Sequence, residues 1–499
     1  MREAFILRLT AVLSASLCWL STESRAAAGD LDTTFNGVGY VLTQIDVSNS
    51  DYGWAMAIQP DQKIVVAGEC LVQGDTDFCL TRYLPNGSLD TTFGTNGIRT
   101  ATVGSVNDRG RAMVIQADGK IIVGGGCDSG TVSDFCLMRF TATGSIDTTF
   151  GTNGRVMTDV LGGADQINAL ALTPDGKIVA AGDCASGAVK VMCVVRYLSG
   201  GALDTSFSGD GKYSQSFSAG NNVTNALVVQ GDNRIFVGLT AFEAGNLNST
   251  RQLQRISAAG VAEVSAVLPN VDPTPIDSLW SMVQQPDGSL IVAGLCEYAA
   301  STYGTCAVRR TSGLSADNSF ANDAVGYGAT DVSAAYLTLQ GDGKVLVARI
   351  CRLSTPRDQI CLDRFHSDGK FDSGFGVGGT ATAVLAGSTR FKQMRAVAVQ
   401  ADGKIVLAGA CESAAVGPVR FCVARFDGGP IGYRACTLDV DGDLAVHATT
   451  DTLIMARVAL GLTGTAVVNG INFPAGATRT TWSSIRSYLV NHCGMNLAP

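Results

Sequence analysis

The sequence predicts an all-β fold, a seven-bladed β-propeller of four-stranded blades, followed by a small α-helical module at the C-terminus. Three observations carry that expectation. First, a phrase of the type "QPDQKIVVAG" or "QADGKIIVGG" occurs seven times, with its turn aspartate at Asp61, Asp118, Asp175, Asp232, Asp287, Asp342 and Asp402. Second, the copies stand 55 to 60 residues apart, which is room for four short strands and suits one propeller blade. A β-helix is the alternative repeat architecture, but its coils are normally shorter. Third, the pattern stops after "RFDGGPIG" and apolar residues at helical spacing follow.

The first 28 residues read as a secretory signal peptide. Arg2 and Arg8 precede an apolar stretch from Leu9 to Leu20, and Ala26, Ala27 and Ala28 supply the small residues of a cleavage site. Leu17 stands before Cys18 where a lipid-attachment motif wants a small residue. No later stretch approaches the roughly 18 uninterrupted apolar residues of a membrane span. The propeller is expected over residues 29–430 and the helical module over 431–499.

Within each unit an alternating segment such as "AMAIQ" leads into an Asp-Gly turn. An apolar run, a longer loop and a further short run such as "FCLTRYL" follow, and "GIRTATV" supplies a fourth strand after the "GTNG" turn. Only 16% of residues are charged and Gly is abundant at 59, a composition that suits many short buried strands rather than disorder. The formal charge of -8 leaves no basic footprint for nucleic acid or an anionic membrane surface.

The wording "GSLDTTFGTNG", "GSIDTTFGTNG" and "QADGKIVLAG" resembles the bacterial delta-60 repeat family. The likeness covers about Gly29 to Gly429, with the fifth unit degenerate. It implies a propeller and supplies no active site.

Seven arginines follow the last strand of each unit: Arg82, Arg139, Arg196, Arg255, Arg309, Arg364 and Arg425. A carboxylate follows eight residues after each of the first six, at Asp90, Asp147, Asp204, Glu263, Asp317 and Asp372, whereas Tyr433 follows Arg425. Asp32, in a leading "LDTTF", can replace the missing acid. The extreme N-terminus is therefore expected to dock on blade seven, where Asp32 meets Arg425 and fastens the ring.

Of 15 cysteines, 14 lie beyond the signal segment. Twelve fall in local pairs, Cys70/Cys79, Cys127/Cys136, Cys184/Cys193, Cys296/Cys306, Cys351/Cys361 and Cys411/Cys422, with one partner ending a strand and the other beginning the next. The fourth unit has Thr240 and Gln252 at the aligned places, so both partners are lost together, as pairing predicts. The bridges imply an oxidising compartment: secreted, at the cell surface, or periplasmic. Cys436 and Cys493 are expected to join the ends of the C-terminal module. Zinc is disfavoured, because there is no Cys-x-x-Cys spacing and only His366, His447 and His492 are available.

In "CTLDVDGDLAVHATTDTLIMARVALGL", Asp439, Asp441 and Asp443 alternate on a tight loop. Asp451 follows at the start of a helix in which Leu453, Ile454, Val458 and Leu462 can face one side. Such an arrangement can surround one Ca²⁺ with hard oxygen ligands. The segment resembles the dockerin-like, EF-hand-type calcium modules of secreted bacterial proteins, with departures. Leu444 stands where Gly is preferred, His447 where Asn or Asp is commoner, and the last acid comes one position late. No organic cofactor is implied.

One aligned position breaks the repeat's symmetry: Trp54, Arg111, Asn168, Asn225, Trp280, Ala335 and Arg395. Large residues there fit packing between blades, or a binding rim anchored on Trp54, Arg111, Trp280 and Arg395. No symmetry-breaking cluster of acids with a base is evident, and His366 sits in an ordinary "RFHSDGK" turn. The sequence thus reads as a non-catalytic binding or structural protein, attached through a calcium-dependent tail to a protein or glycan of the cell envelope. The alternative is an extracellular hydrolase or lyase acting on a glycan or other polymer.

Overall fold

The computed structural model describes residues 27–429, except 46–49, 73, 105, 129, 131, 246–247, 270–276, 300–301, 321–334, 352–358, 386–389 and 413–416. Beyond these it describes 450–459, 462, 465–473 and 480–491.

Seven antiparallel sheets follow one another along the chain, one for each repeat. Blade one is typical. Its inner strand is Tyr52–Ile58, followed by Ile64–Val72, Asp75–Tyr83 and the outer strand Ile98–Ala101, paired in that order. Blade five shows three strands among the described residues; its place for a fourth falls within 321–334. Blade seven takes its fourth strand from the other end of the chain. Tyr40–Thr43 pairs with Val419–Phe426, so that Leu42 faces Cys422.

The second strand of each blade reads as an unbroken apolar run because both of its faces are covered. Val65 and Ala67 pack with Met113, Ile121 and Val123 of blade two. Ile64 and Val66 turn the other way, onto Val406, Ala408, Phe421 and Val423 of blade seven. Each blade is therefore one layer between two others, and the core is a ring of interfaces between blades. Closure follows from the same periodicity of two, since blade one buries its even-numbered residues against the last repeat.

The arginine turns hold this ring at its outer connections. Arg82 Nε donates to Asp90 Oδ2 at 2.9 Å, its guanidinium lies 4.6 Å from the Phe93 ring centroid, and Nη1 donates to Ala142 O of blade two at 2.5 Å. The same three contacts recur at Arg139, Arg196, Arg309 and Arg364. Arg425 completes the set with N-terminal partners. Its Nε donates to Asp32 Oδ2 at 2.7 Å, it lies over Phe35, and Nη1 donates to Pro85 O of blade one.

Six bridges join Cys70 to Cys79, Cys127 to Cys136, Cys184 to Cys193, Cys296 to Cys306, Cys351 to Cys361 and Cys411 to Cys422, with Cα–Cα distances of 5.5 to 5.9 Å. Their place in the strands corrects the sequence reading, in which the second cysteine of each pair begins a strand. Cys79 lies inside Asp75–Tyr83, Cys136 inside Ser133–Phe140, Cys193 inside Val189–Tyr197 and Cys306 inside Thr302–Arg310. Cys361 and Cys422 are likewise internal, to Gln359–Phe365 and Val419–Phe426. The reason is that ladder pairing continues beyond the bridge toward the hairpin turn, as where Leu71 faces Thr76 and Val72 faces Asp75.

Each bridge therefore runs diagonally across a ladder instead of closing a bare loop. Cys79 faces Gly68, Cys136 faces Gly125, Cys193 faces Gly182 and Cys306 faces Gly294, while the bonded partner stands two residues further along the second strand. Cys361 facing Arg349 and Cys422 facing Gly409 repeat the offset. Two residues is one strand period, so both sulfurs lie on the same face of the sheet. Blade four corrects the sequence alignment by one residue. Leu239 faces Gln252, so the position equivalent to Cys70 is Ala241 and not Thr240. The joint loss of both cysteines stands with Ala241 in that place.

In the C-terminal segment, helices span Asp451–Ala459, Thr465–Val468 and Trp482–Asn491. Ile454, Val458, Val467 and Ile485 bury together. Leu453 and Leu462 are exposed, which corrects the apolar face expected from the sequence: only Ile454 and Val458, one turn apart, point inward. Among the described residues, no helix is long and apolar enough to cross a membrane.

Candidate functional site

The inner strands line a central cavity of about 580 Å³. What they present there is set by a bulge. The pairing of inner and second strand slips between Gly53 and Ala55 in blade one, Gly110 and Ala112 in blade two, and Ile167 and Ala169 in blade three. It slips again between Thr224 and Ala226, Leu279 and Ser281, and Met394 and Ala396. The skipped residues are Trp54, Arg111, Asn168, Asn225, Trp280 and Arg395. A bulge leaves its extra residue outside the ladder and re-aims the side chain, here toward the axis of the ring.

Beside the bulge in blades one and three the backbone leaves no room for a side chain at the glycine of the "VAG" or "AAG" wording, whereas blade four carries Leu239 at the aligned place. A Cβ on Gly68 would stand 1.9 Å from Tyr52 O, and one on Gly182 the same distance from Gln166 O. In blade six the pairing is described only from Tyr336 onward, because the residues before Ala335 lie outside the described ones. Its inner strand begins at Tyr336, one residue after the aligned Ala335, and Tyr336 is the residue that reaches the cavity.

All four residues expected at a binding rim, Trp54, Arg111, Trp280 and Arg395, line this one cavity. The cavity lies where the inner strands of the blades converge. Trp54 is flanked by guanidinium groups from both neighbouring blades, Arg111 at 3.6 Å and Arg395 at 4.0 Å from its ring centroid. Arg395 Nη1 also donates to the Tyr336 hydroxyl at 3.3 Å.

Asp183, which the sequence did not single out, is the one carboxylate among the lining residues described. It accepts from Thr224 N at 2.7 Å and Asn168 Nδ2 at 3.1 Å, and burial pushes its pKa up to about 6. A signal for it existed. The position eight residues after the turn aspartate holds Glu69, Gly126, Asp183, Thr240, Leu295, Ile350 and Ala410, a second break in the repeat's symmetry.

Elsewhere, oxygens of Asp134, Asp159 and Asp165 lie within 4.8 Å of one another between blades two and three. Asp165 Oδ2 accepts from Val160 N at 2.8 Å, and burial pushes its pKa up to about 6. The same capping bond is made by Asp51 to Ile45 N and by Asn222 to Phe217 N. A neutral amide serves at the third place, so the repeat uses this residue as a cap rather than for its charge.

His366 occupies a hairpin turn, its N–H bonded to Lys370 O at 2.8 Å, and does not line the cavity. Asp439, Asp441, Asp443, Cys436 and Cys493 lie outside the described residues, as does the side chain of Asp451.

Residues 59–93, 116–150, 173–207 and 400–428 match the family described as "Domain of unknown function (DUF5122) beta-propeller". The matched segments fall in four of the seven blades. Each of the three longer matched segments runs from the turn glutamine or threonine to the phenylalanine under the arginine, and so contains the arginine–aspartate pair within its blade. No curated protein matches the chain by sequence.

Among solved structures, a protein of unknown function from Dyadobacter fermentans DSM 18053 is similar at 13% identity and a TM-score of 0.43, covering 78% of this chain and 98% of that one. Polysaccharide lyase Uly1 is similar at 10% identity and a TM-score of 0.45, covering 82% and 98%. The α-L-arabinofuranosidase Arb93A from Fusarium graminearum is similar at 9% identity and 0.38, covering 64% and 93%. The blade count and ring closure rest on this chain's own strand register.

Proposed function

We propose that the chain is a non-catalytic binding protein that works outside the cytoplasm and takes its ligand in the central cavity. One observation carries this reading: six blades spend the same bulge on aiming a residue into one cavity, and that residue is Trp, Arg or Asn rather than one repeated type. A repeat under purely structural demand keeps the same residue at such a position, as the arginine turns do. The six bridges fit an oxidising compartment, extracellular or periplasmic.

Attachment through a calcium-dependent C-terminal module, with Asp439, Asp441, Asp443 and Asp451 around one Ca²⁺, is a separate part of the proposal. It rests on the D-x-D-x-D pattern alone.

The experiment is retention of the labelled mature protein on the envelope and exopolymer of the producing cell. Trp280→Ala and Asp439→Ala/Asp441→Ala variants run alongside, each checked by its melt. Loss of retention in Trp280→Ala supports the cavity. Unchanged retention there, with loss in the aspartate variant, transfers binding to the tail and ends the cavity reading.

The enzyme reading, a hydrolase or lyase acting on a polymer, draws support from Asp183, whose raised pKa suits proton transfer. A single lining carboxylate does not supply the pair that glycoside hydrolysis ordinarily uses.

A further inference from the structure

Cations gather on one side of the cavity. Arg111 and Arg395 flank Trp54, Arg109 lies on the same wall, and Lys190 stands further round. Burial, together with the nearby charges of Arg395 and Arg109, holds the Arg111 guanidinium below its ordinary value, although Glu69 opposes the shift. Four lining cations thus face one lining acid, and that acid is already engaged by Thr224 N and Asn168. Arg111 Nε, Arg395 Nε, Trp54 Nε1 and Trp280 Nε1 are buried and make no hydrogen bond among the described residues. A convergence of like charges with donors left over is the arrangement an anionic ligand relieves.

The rest of the wall narrows the ligand's chemistry. A cavity of about 580 Å³ is far larger than a simple anion needs. Gln166, Asn168 and Asn225 each donate one amide N–H within the protein, to Ile167 O, Asp183 and Leu279 O, and their remaining amide N–H and oxygen suit hydroxyl groups, while Trp280 and Tyr336 offer flat apolar faces. The chain's net charge of -8 gives no long-range attraction for a polyanion, so recognition is local to this pocket.

We infer that the cavity takes an acidic saccharide, with a carboxylate or sulfate held by Arg111 and Arg395 and a sugar ring against Trp280 and Tyr336. This rests on the cavity reading above and names its ligand class.

The test is calorimetric titration of the mature full chain with tetragalacturonate, a sulfated tetrasaccharide and neutral maltotetraose, each at low and high salt. An acidic sugar is expected to bind at least about tenfold more tightly than maltotetraose, with the difference shrinking as salt rises. Whichever acidic probe binds more tightly identifies the anionic group.

R111Q/R395Q, with an intact melt, is expected to bring the acidic sugar down to the neutral level. R111K/R395K keeps the charge without the planar fork and is expected to fall between. Maltotetraose binding as tightly as the acidic sugars, or a folded R111Q/R395Q that keeps the acidic preference, overturns the inference. If no probe binds while Trp280→Ala still abolishes envelope retention, the acidic-saccharide assignment fails and the cavity reading survives. If Trp280→Ala leaves retention intact, the cavity reading itself fails.

Discussion

Asp32 and Arg425 are 393 residues apart in the chain and 2.7 Å apart in space, and they occupy the same relationship that Arg82 and Asp90 hold eight residues apart. Lys404 Nζ joins the same carboxylate oxygen at 2.7 Å, and Asn36 N donates to Asn86 O at 2.7 Å. Gly29 N donates to Asp427 O at 2.7 Å, and Gly376 N donates to Ala28 O at 2.8 Å. The N-terminal segment therefore straps blades six, seven and one. Asp32 and Arg425 are nearly inaccessible at 4% and 6% of their side-chain surfaces, whereas Glu263 and Arg255 in blade four remain open at 23% and 22%.

Removing one partner of a buried ion pair leaves an uncompensated charge and costs about 3 to 5 kcal/mol. The same change in an accessible pair costs about 1 kcal/mol or less. Asp32→Ala is therefore expected to lower unfolding stability several-fold more than Glu263→Ala, measured by urea titration of the two variants. Equal losses would show that the ring does not depend on this closure.

Acid titration tests the aspartates as a group. Burial raises the Asp32 pKa, but bonds from Lys404 and Thr34 and the charge of Arg425 outweigh it and bring it down to about 2. The Thr149 hydroxyl brings Asp147 to about 2. The Ser319 hydroxyl and Arg309 do the same for Asp317. These groups stabilise the fold fully above the unfolded value of 3.8, and that contribution is lost as pH falls toward about 2.

Asp165 and Asp183 act in the opposite sense. Burial raises both to about 6, so between 3.8 and about 6 the folded chain holds protons that the unfolded chain has released. Their contribution declines as pH rises through that window. The urea midpoint is expected to be higher near about pH 4.5 than near about pH 3 or about pH 7, and Asp183→Asn is expected to flatten the limb above about pH 4. A midpoint that climbs steadily from acid to neutral pH would contradict the raised pair.

Much of this fold is legible because the chain states it seven times. The repeated arginine and carboxylate predict a local turn. The single exception at Tyr433 points to Asp32, since a repeated rule with one missing term names its own completion. The bulge is not legible in the same way. Periodicity of two shows which residues face each neighbouring blade, but a one-residue slip in register leaves no mark on composition, so Trp54 and Trp280 suit an exposed rim as well as a channel. Strand ends are obscure for a similar reason: a cysteine spacing shows that Cys127 and Cys136 can meet, but not that the ladder continues past them. Asp183 is obscure because it sits within an apolar second strand beside Cys184, and among the aligned positions only Glu69 is also an acid. The one-residue error at Ala241 arises in the unit that has no cysteines to fix its alignment.

Blade four offers a direct test of that register. Ala241 and Gln252 hold the diagonal that Cys70 and Cys79 hold in blade one. Ala241→Cys/Gln252→Cys is expected to form a seventh bridge, read as a mass shift on reduction and alkylation. Closing a loop of this size contributes up to about 3 kcal/mol in the chain-entropy model, and strain lowers the figure. Thr240→Cys/Gln252→Cys is expected to remain reduced, because successive side chains on a strand point to opposite faces. Oxidation of that second pair instead would restore the alignment read from the sequence.

Chelation is expected to distinguish the tail from the ring. The proposed ligands Asp439, Asp441, Asp443 and Asp451 follow the last propeller strand, Val419–Phe426, in the sequence. Binding stabilises only the unit whose folded state holds the ion. A chelator is therefore expected to leave the main melting transition in place and to shift only a smaller one from the helical segment. Asp439→Ala/Asp441→Ala is expected to abolish that smaller shift and any calorimetric calcium signal. If chelation instead lowered the main transition, the ion would have to be held by the propeller. The acids between blades two and three, Asp134, Asp159 and Asp165, would then be the first to substitute.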